Sequence, residues 1–445
     1  MSTDQCLDSG RVIIPYGRSV MALVAAHSLG QRGIEVIGCD SIDFTILSFS
    51  KYVKEHFIYP DPEKDETAFL EAMVKEVIKR KPPDDQPYVL MPIYKDTKRF
   101  AKHKHLFEPH IKVAAPDYQA ISKLNPKDNF ARTTEQLDIA VPRTWLPEDE
   151  TALKEIIPEV SFPVVIKPYN QTAGRGIHKV NNEEELLAYW IENLSKFKQK
   201  SLVQSFADGK DYCFTALFDH GELKASMAYY NLHRFPAESG AGIVRETVPG
   251  EPFAEIAASL MKPLKWNGVA EFDFMWDGCE HSTPALIEVN TRFWGGLFQS
   301  VESGIDYPRL LYQLIVNGHI EPAGDAKIGT RTKMAYIWLF SVIKESINSD
   351  EDFAEIKKKG QLALAKLEDG EVLESIKEYS SFIAEYLGET LNMKKKVQRF
   401  KQKLEIGKTA RNELLNSEDP QAAFGILFIL GSLIRYGELP REVKF

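Results

Sequence analysis

Two runs of strictly alternating residues, GVAEFDFMW at 268–276 and ALIEVN at 285–290, stand close together in the chain. A period of two marks strands with unlike faces, and a short link opening on Asp277 and Gly278 joins such strands as antiparallel neighbours. In the first strand Glu271, Asp273 and Met275 point one way, and Ala270, Phe272, Phe274 and Trp276 the other. In the second, alternation puts Leu286, Glu288 and Asn290 on one face and Ala285, Ile287 and Val289 on the other. Pairing then brings Asp273 beside Glu288 and Asn290, so one face of the sheet is rich in oxygen.

Carboxylate and amide oxygens gathered without His or Cys are hard donors, suited to Mg²⁺ or Mn²⁺ rather than zinc. Mg²⁺ keeps water and shares its sphere with nucleotide phosphates, so two acids and an amide suffice when ATP supplies the other oxygens. Arg292, next in NTRFWGG, can meet a phosphoryl oxygen and offset the charge that spreads during transfer. The plainer alternative is a buried polar cluster in which Arg292 pairs with the acids. Upstream, Lys167 ends the apolar run FPVVIKP, and the loop NQTAGRG places Gly174 and Gly176 where backbone N–H groups can approach phosphate. A lysine that reaches solvent and a simple hairpin are the alternatives there.

The chain opens with RVIIPYG, RSVMALVAAHSLGQRG and IEVIGCD, which read as strand, helix and strand of a parallel α/β layer. YVLMPIY and IKVAAP add later strands. Asp40 stands where a dinucleotide-binding fold places its ribose acid, but only Gly17 occupies the first turn and no G-x-G-x-x-G follows. Beyond about residue 120 the texture changes to short strands and glycine loops: IHKV, SLVQSF, YCFTALFD and KASMAYYNL, the last two joined at HG. NNEEELLAYW begins a helix with an Asn cap and acids in its first turn.

From about Ile328 the pattern reads as wholly helical to the end. MKKKVQRFKQKLEIGK sets Met393, Val397, Phe400 and Leu404 on one stripe among lysines and arginines, a face for an anionic membrane surface or, more plainly, a solvated helix packed by one stripe. FGILFILGSLI, from Phe424 to Ile434, is shorter than the ~20 residues that span a bilayer and reads as a buried terminal helix. A formal charge of −9 argues against nucleic-acid partners. Four cysteines without a C-x-x-C pair, and a start with no basic or apolar leader, suit a reducing cytoplasm.

Taken in order, Lys127, VVIKP, TAGRGI, LVQSFADGKD, GVAEFDF and IEVNTRFWGG resemble the ATP-grasp enzymes, in particular the branch of the carbamoyl-phosphate synthetase large subunit and biotin carboxylase. The resemblance covers roughly Ala120 to Leu311. It implies an α/β layer at 1–120, an α+β ATP-grasp fold at 121–325 with a mobile lid about 161–205, and a helical region at 326–445. It also implies that Lys127 and Lys167 are the nucleotide lysines and that the loop Thr172, Ala173, Gly174, Arg175 and Gly176 covers the β- and γ-phosphates. Gln204, Ser205, Phe206 and Ala207 match the hinge that reads the adenine edge, and Asp211 the acid that holds the ribose. Asp273, Glu288 and Asn290 match the metal ligands, with Glu271 as the alternative to Asp273, and Arg292 matches the arginine near the transferred phosphoryl group. Family members commonly have Glu at the positions of Gln204 and Asp211, and the link to Glu288 here is one residue longer.

The activity so implied is an ATP- and Mg²⁺-dependent carboxylate–amine ligase that works through an acyl phosphate and releases ADP and phosphate. Lys167, Arg292 and Arg245 are the catalytic candidates, Arg245 as the clamp for a substrate carboxylate in NLHRFPAESGAGIVRETV. The alternative for Arg234 and Arg245 is pairing with Glu238 or Glu246 on a surface hairpin. Two rival activities are a bicarbonate-using carboxylase or carbamoylating enzyme and a nucleotide-binding regulator without turnover. The partners implied are small carboxylates and amines, and the assembly a homodimer.

Overall fold

The computed structural model describes residues 9–83, 86–171, 174–235, 241–279, 281–334, 337–338, 341–342, 374, 377, 393–414 and 416–425. Their strands form three sheets. The first comprises β1 (Arg11–Ile14), β2 (Glu35–Asp40), β3 (Val53–Ile58), β4 (Tyr88–Leu90) and β5 (Lys112–Val113), parallel throughout in the order β3-β2-β1-β4-β5. Val12, Ile13 and Ile14 are fully buried, as expected of a strand covered on both faces, which reads as an unbroken apolar run. The helix Val20–Gly30 follows β1, its N-terminus capped by the Ser19 hydroxyl accepting from Met21 N–H at 3.1 Å. Strand β3 escapes a reading by hydrophobicity because Lys54, Glu55 and His56 are exposed on it. Charge of this kind keeps an edge strand from pairing further.

The strand order reverses between β1 and β4, and the residues just beyond these strands, Tyr16 and Tyr94, hold φ of 63° and 61°. Their rings stack with centroids 5.7 Å apart. Crevices of this kind, at carboxyl ends where strand order switches, are where open α/β sheets bind ligands.

The second sheet is antiparallel, in the order β6-β9-β7-β8, from β6 (Thr144–Trp145), β7 (Val164–Pro168), β8 (His178–Val180) and β9 (Ser201–Ser205). It has its own core of Leu153, Val164, Ile166, Val180, Leu186, Trp190 and Val203. The helix Glu183–Phe197 lies against it, and Asn182 caps this helix through Glu185 N–H at 2.9 Å.

The third sheet holds β10 (Lys210–Asp219), β11 (Glu222–Phe235), β12 (Ala241–Val248), β13 (Gly268–Trp276), β14 (Ala285–Asn290), β15 (Arg331–Lys333) and β16 (Arg411–Asn412), in the order β14-β13-β10-β11-β12-β15-β16. The HG pair turns β10 into β11 with positive φ at both His220 and Gly221, the geometry that matches strand twist. One face buries Phe214, Phe218, Phe272 and Phe274 with Phe253 and Leu260 of the helix Glu251–Met261. The other packs Cys213, Leu217, Met227, Tyr229 and Val269 together with residues of the parallel layer.

Two expectations need correction. The region after Ile328 is not wholly helical: β15 and β16 are strands of the large sheet, β16 parallel to β15. Strands of three and two residues carry no readable period; β15 forms on the outer edge of β12, and β16 on the edge that β15 then offers. The helix Met393–Lys408 is present, and Phe400 and Leu404 pack with Ile337, Trp338, Val342 and Ala410, whereas Val397 is exposed. Residues 343–373, 378–392 and 426–445, including most of FGILFILGSLI, lie outside the described residues. Among the described residues no helix is long and apolar enough to cross a membrane.

The second correction concerns Leu286. Register shifts between Asp273 and Phe274, so that Asp273 faces Glu288 but Phe274 faces Leu286, and Ile287 is the extra residue of a β-bulge. The bulge turns Leu286 to the side of Val289, where both are buried among Phe272 and Phe274. Leu286 therefore does not share a face with Glu288 and Asn290.

Candidate active site

Cross-strand pairing assembles the acids. Glu271 lies opposite Asn290 and Asp273 opposite Glu288, while β10 sets Cys213 beside Asp273 and Thr215 beside Glu271. Asn290 donates through Nδ2 to Asp273 Oδ2 at 3.0 Å and to Glu271 Oε2 at 3.4 Å, and its Oδ1 accepts from Arg292 Nη2 at 2.9 Å. Glu271 Oε1 is further held by the Tyr229 hydroxyl at 2.6 Å. Burial pushes the carboxyls of Asp273 and Glu271 above their usual range, and for Asp273 the charges of Glu271, Asp211 and Glu288 push the same way. A divalent cation would relieve this crowding, so the donor set fits Mg²⁺ in its chemistry. Cys213, Glu271 and Asp273 bring ligand atoms within 4.8 Å of one another, but a buried thiol whose Sγ already donates to Asp273 Oδ1 at 3.5 Å, and which burial pushes well above its usual pKa, is a poor partner for a hard cation.

Two lysines face this cluster. Lys127, at the start of the helix Lys127–Gln136, reaches Glu288 Oε1 at 3.1 Å and the Gln171 carbonyl at 3.0 Å. Lys167 is buried at the end of β7 and donates to Gln204 Oε1 at 2.7 Å. Burial lowers its pKa to about 8; the charge of Lys127 adds to this and those of Glu288 and Asp273 oppose it. The Gln204 amide faces two ways, since its Nε2 donates to Thr144 Oγ1 at 2.9 Å, and it thereby fixes the lysine.

The remaining candidates are distributed around these groups. Ser205 N–H is already given to the Arg143 carbonyl and Phe206 N–H to the Pro163 carbonyl, so the expected hinge has fewer free donors than its length suggests. Lys179 lies 3.8 Å from the Phe206 ring centroid. Asp211 Oδ2 accepts from Asn231 Nδ2 at 2.7 Å and pairs with Arg234 at 3.3 Å. In the glycine loop Thr172 and Ala173 lie outside the described residues, and Gly174 and Gly176 hold φ of 71° and 70°. Asn193 of the helix Glu183–Phe197 donates to the Gly176 carbonyl at 2.9 Å, fastening the C-terminal end of that loop.

Arg292 and Arg245 differ in their surroundings. Arg292 rests over the Tyr94 ring, 4.4 Å from its centroid, so the parallel layer supplies an aromatic support to a side chain of the large sheet. Tyr94 went unnoticed in the sequence; the proline and tyrosine that close YVLMPIY were its only trace. Arg245 is 2% exposed, in register with Asn231, with Nη2 3.7 Å from Met334 Sδ and Nη1 3.9 Å from Glu413 Oε2. It is not on a surface hairpin; Glu246, its neighbour, pairs instead with Arg331 at 2.5 Å, and Glu238 lies outside the described residues. Glu413 was likewise missed, because it arrives from far along the chain and no local motif surrounds it.

Residues 139–316 match the family model described as D-ala D-ala ligase C-terminus. The D-alanine--D-alanine ligase of a Thermoanaerobacter species is 29% identical over 187 residues, 38% of this chain and 51% of that enzyme. The chain thus spans about half the length of the curated relatives it matches. In three dimensions it superposes on the biotin carboxylase domain dimer of Hydrogenobacter thermophilus 2-oxoglutarate carboxylase, in complex with MgADP and bicarbonate, with a TM-score of 0.58, 18% identity and coverage of 72% of this chain and 73% of that one. N5-carboxyaminoimidazole synthetase from Staphylococcus aureus, complexed with ADP, gives 0.57, 15% identity, and 76% and 86% coverage. Residues 139–316 thus match a ligase family model, and the chain shares the fold of these ADP-binding enzymes.

Proposed function

We propose that the protein is an ATP-dependent carboxylate–amine ligase that forms an acyl phosphate and releases ADP and phosphate. The observation that carries this reading is the meeting of Asp273, Glu288 and Asn290 with Lys127, with the charges of Glu288 and Asp273 acting on the buried Lys167. A carboxylate resists amines because its leaving group would be oxide; phosphorylation replaces that with phosphate. What remains for the protein is positioning, charge neutralisation and exclusion of water.

Each side chain has a part in that scheme. Asp273, Glu288 and Asn290 would hold Mg²⁺, Glu271 being kept back by Tyr229, and the ion supplies charge to the phosphates when bound. Asn290 would offer Oδ1, the atom now given to Arg292, which frees Arg292 for the phosphoryl group. Lys127 and Lys167 bind phosphate oxygens, and residues 172–176 close over them. Gln204 to Ala207 and Asp211 hold adenosine, and Arg245 clamps a substrate carboxylate. We propose the division 1–120, 121–325 and 326–445, with 161–205 as a lid, a homodimeric assembly and a cytoplasmic location.

ADP release by the purified protein, measured with Mg²⁺, ATP and a panel of carboxylates and amines, tests the reading. The expected result is ADP and phosphate formed only with a carboxylate and amide formed with an amine, both lost at least 100-fold in Glu288→Gln. Formation of AMP, or ATP binding with no turnover on any pair, overturns it. Bicarbonate-dependent ADP release would favour the carboxylase alternative, which draws support from the bicarbonate complex among the structural relatives.

A further inference from the structure

After β16 the chain crosses from the large sheet to the parallel layer. Glu413 N–H donates to the Lys333 carbonyl at 3.3 Å, and six residues later the fully buried Asp419 accepts from Ser50 Oγ at 2.5 Å and Lys51 N–H at 3.2 Å and meets His27 Nε2 at 2.8 Å. This strap carries Glu413 to Arg245. Both side chains are almost wholly buried, yet their nearest atoms stand 3.9 Å apart, beyond hydrogen-bond length. Among the described residues, Arg245 Nε and Nη1 and Glu413 Oε1 have no hydrogen-bond partner. Burial lifts the Glu413 carboxyl to about 7 even though Arg245 draws it down.

Buried charges that do not complete their hydrogen bonds are a poor way to fasten a strap; an apolar pair would do so without that cost. Their place in the sheet points elsewhere. Arg245 stands level with Asn231, the partner of Asp211, and its charge acts on Glu271 and Tyr229. The guanidinium also lies against the turn that follows Arg292, with Nη2 3.8 Å from where a Cβ on Gly295 would stand.

We propose that Glu413 and Arg245 together hold the acceptor of the ligase reaction, an amine that also bears a carboxylate, with Glu413 taking the ammonium and Arg245 the carboxylate. This rests on the ligase reading for its place in the reaction, while the binding pair stands on the geometry. Ammonium hydrogens match the unpartnered Glu413 Oε1, and carboxylate lone pairs match the unpartnered N–H groups of Arg245. A zwitterion adds no net charge to a buried site that has none. A simple amine or a simple acid would leave one member of the pair unmet.

The test uses the full chain with MgADP and calorimetric titration of three sets of compounds: amino acids, the amines lacking their carboxylate, and the acids lacking their amine. Binding of an amino acid in preference to its two truncated forms is expected, weakened at least tenfold in Glu413→Gln with MgATP affinity unchanged within twofold. Glu413→Asp, which keeps the charge, recovers part of the loss and stands in should the amide variant fold poorly. Equal amino-acid affinity in wild type and Glu413→Gln, equal binding of the deaminated acids, or no binding by any compound overturns the proposal. ADP release separates the two readings. Turnover that ignores Glu413→Gln keeps the ligase and removes this pair, whereas Glu413-dependent binding without turnover does the reverse.

Discussion

At the scale of single residues, the site turns on a buried lysine. With a pKa of about 8, Lys167 is charged at pH 7 and largely neutral at pH 9. Only the charged form attracts phosphate, so nucleotide affinity should fall roughly tenfold from pH 7 to pH 9, and Lys167→Arg should remove the dependence. Stability moves the opposite way. The cost of burying the ammonium is fully present below pH 8 and disappears between there and the unfolded pKa of about 10.4, so this group makes the fold more stable as pH rises. Calorimetric affinities at the two pH values check the first claim, and a flat profile would exclude Lys167 from the phosphates. Residue type and spacing were enough to single out Lys167, Asp273, Glu288, Asn290 and Arg292, because a lysine or an acid within an apolar run needs a reason to be there. The same logic was silent on the pairing of Gln204 with Lys167 and on Tyr94 and Glu413. Their meaning lies in partners far along the chain: Lys167, Arg292 and Arg245.

At the scale of elements, the second sheet and its glycine loop are the part most open to test. A Cβ on Gly176 would come within 2.6 Å of Phe197, 2.7 Å of Asn193 Oδ1 and 2.7 Å of Pro168, at a φ of +70° that side chains disfavour. Gly176→Ala should therefore destabilise this unit by about 1–3 kcal/mol through strain and overpacking. Hydrogen exchange should show lost protection over 164–205 with 210–276 unchanged; a uniform loss would mean that the second sheet has no independent stability. The strands β1, β2, β7, β9, β10, β11 and β13 were visible in the sequence because their alternation or apolar runs are long. The short β15 and β16 were not, and a charged edge concealed β3. A sequence that favours a helix on either side says nothing of two residues pairing with a distant edge.

At the scale of the whole molecule, the strap 411–425 joins the large sheet to the parallel layer, and Asp419 is its anchor. Burial holds His27 below its usual pKa, so the ring is neutral near pH 7; Nε2–H donates to Asp419 and Nδ1 accepts from Asn416 Nδ2 at 3.2 Å. Asp419→Ala leaves Ser50, Lys51 and His27 without their acceptor and should cost about 2–4 kcal/mol in chemical denaturation. An unchanged midpoint would mean that the strap does not bind the layers together. The bulge at Ile287 matters on this same scale, because it accommodates the extra residue between Asp273 and Glu288 while both strands keep their chemistry on the proper sides. An alignment with shorter relatives should accordingly open its gap within the strand, at 287, and not in the loop at 277–284. Deleting that one isoleucine should then be tolerated, whereas deleting Glu288 would take a carboxylate out of the site.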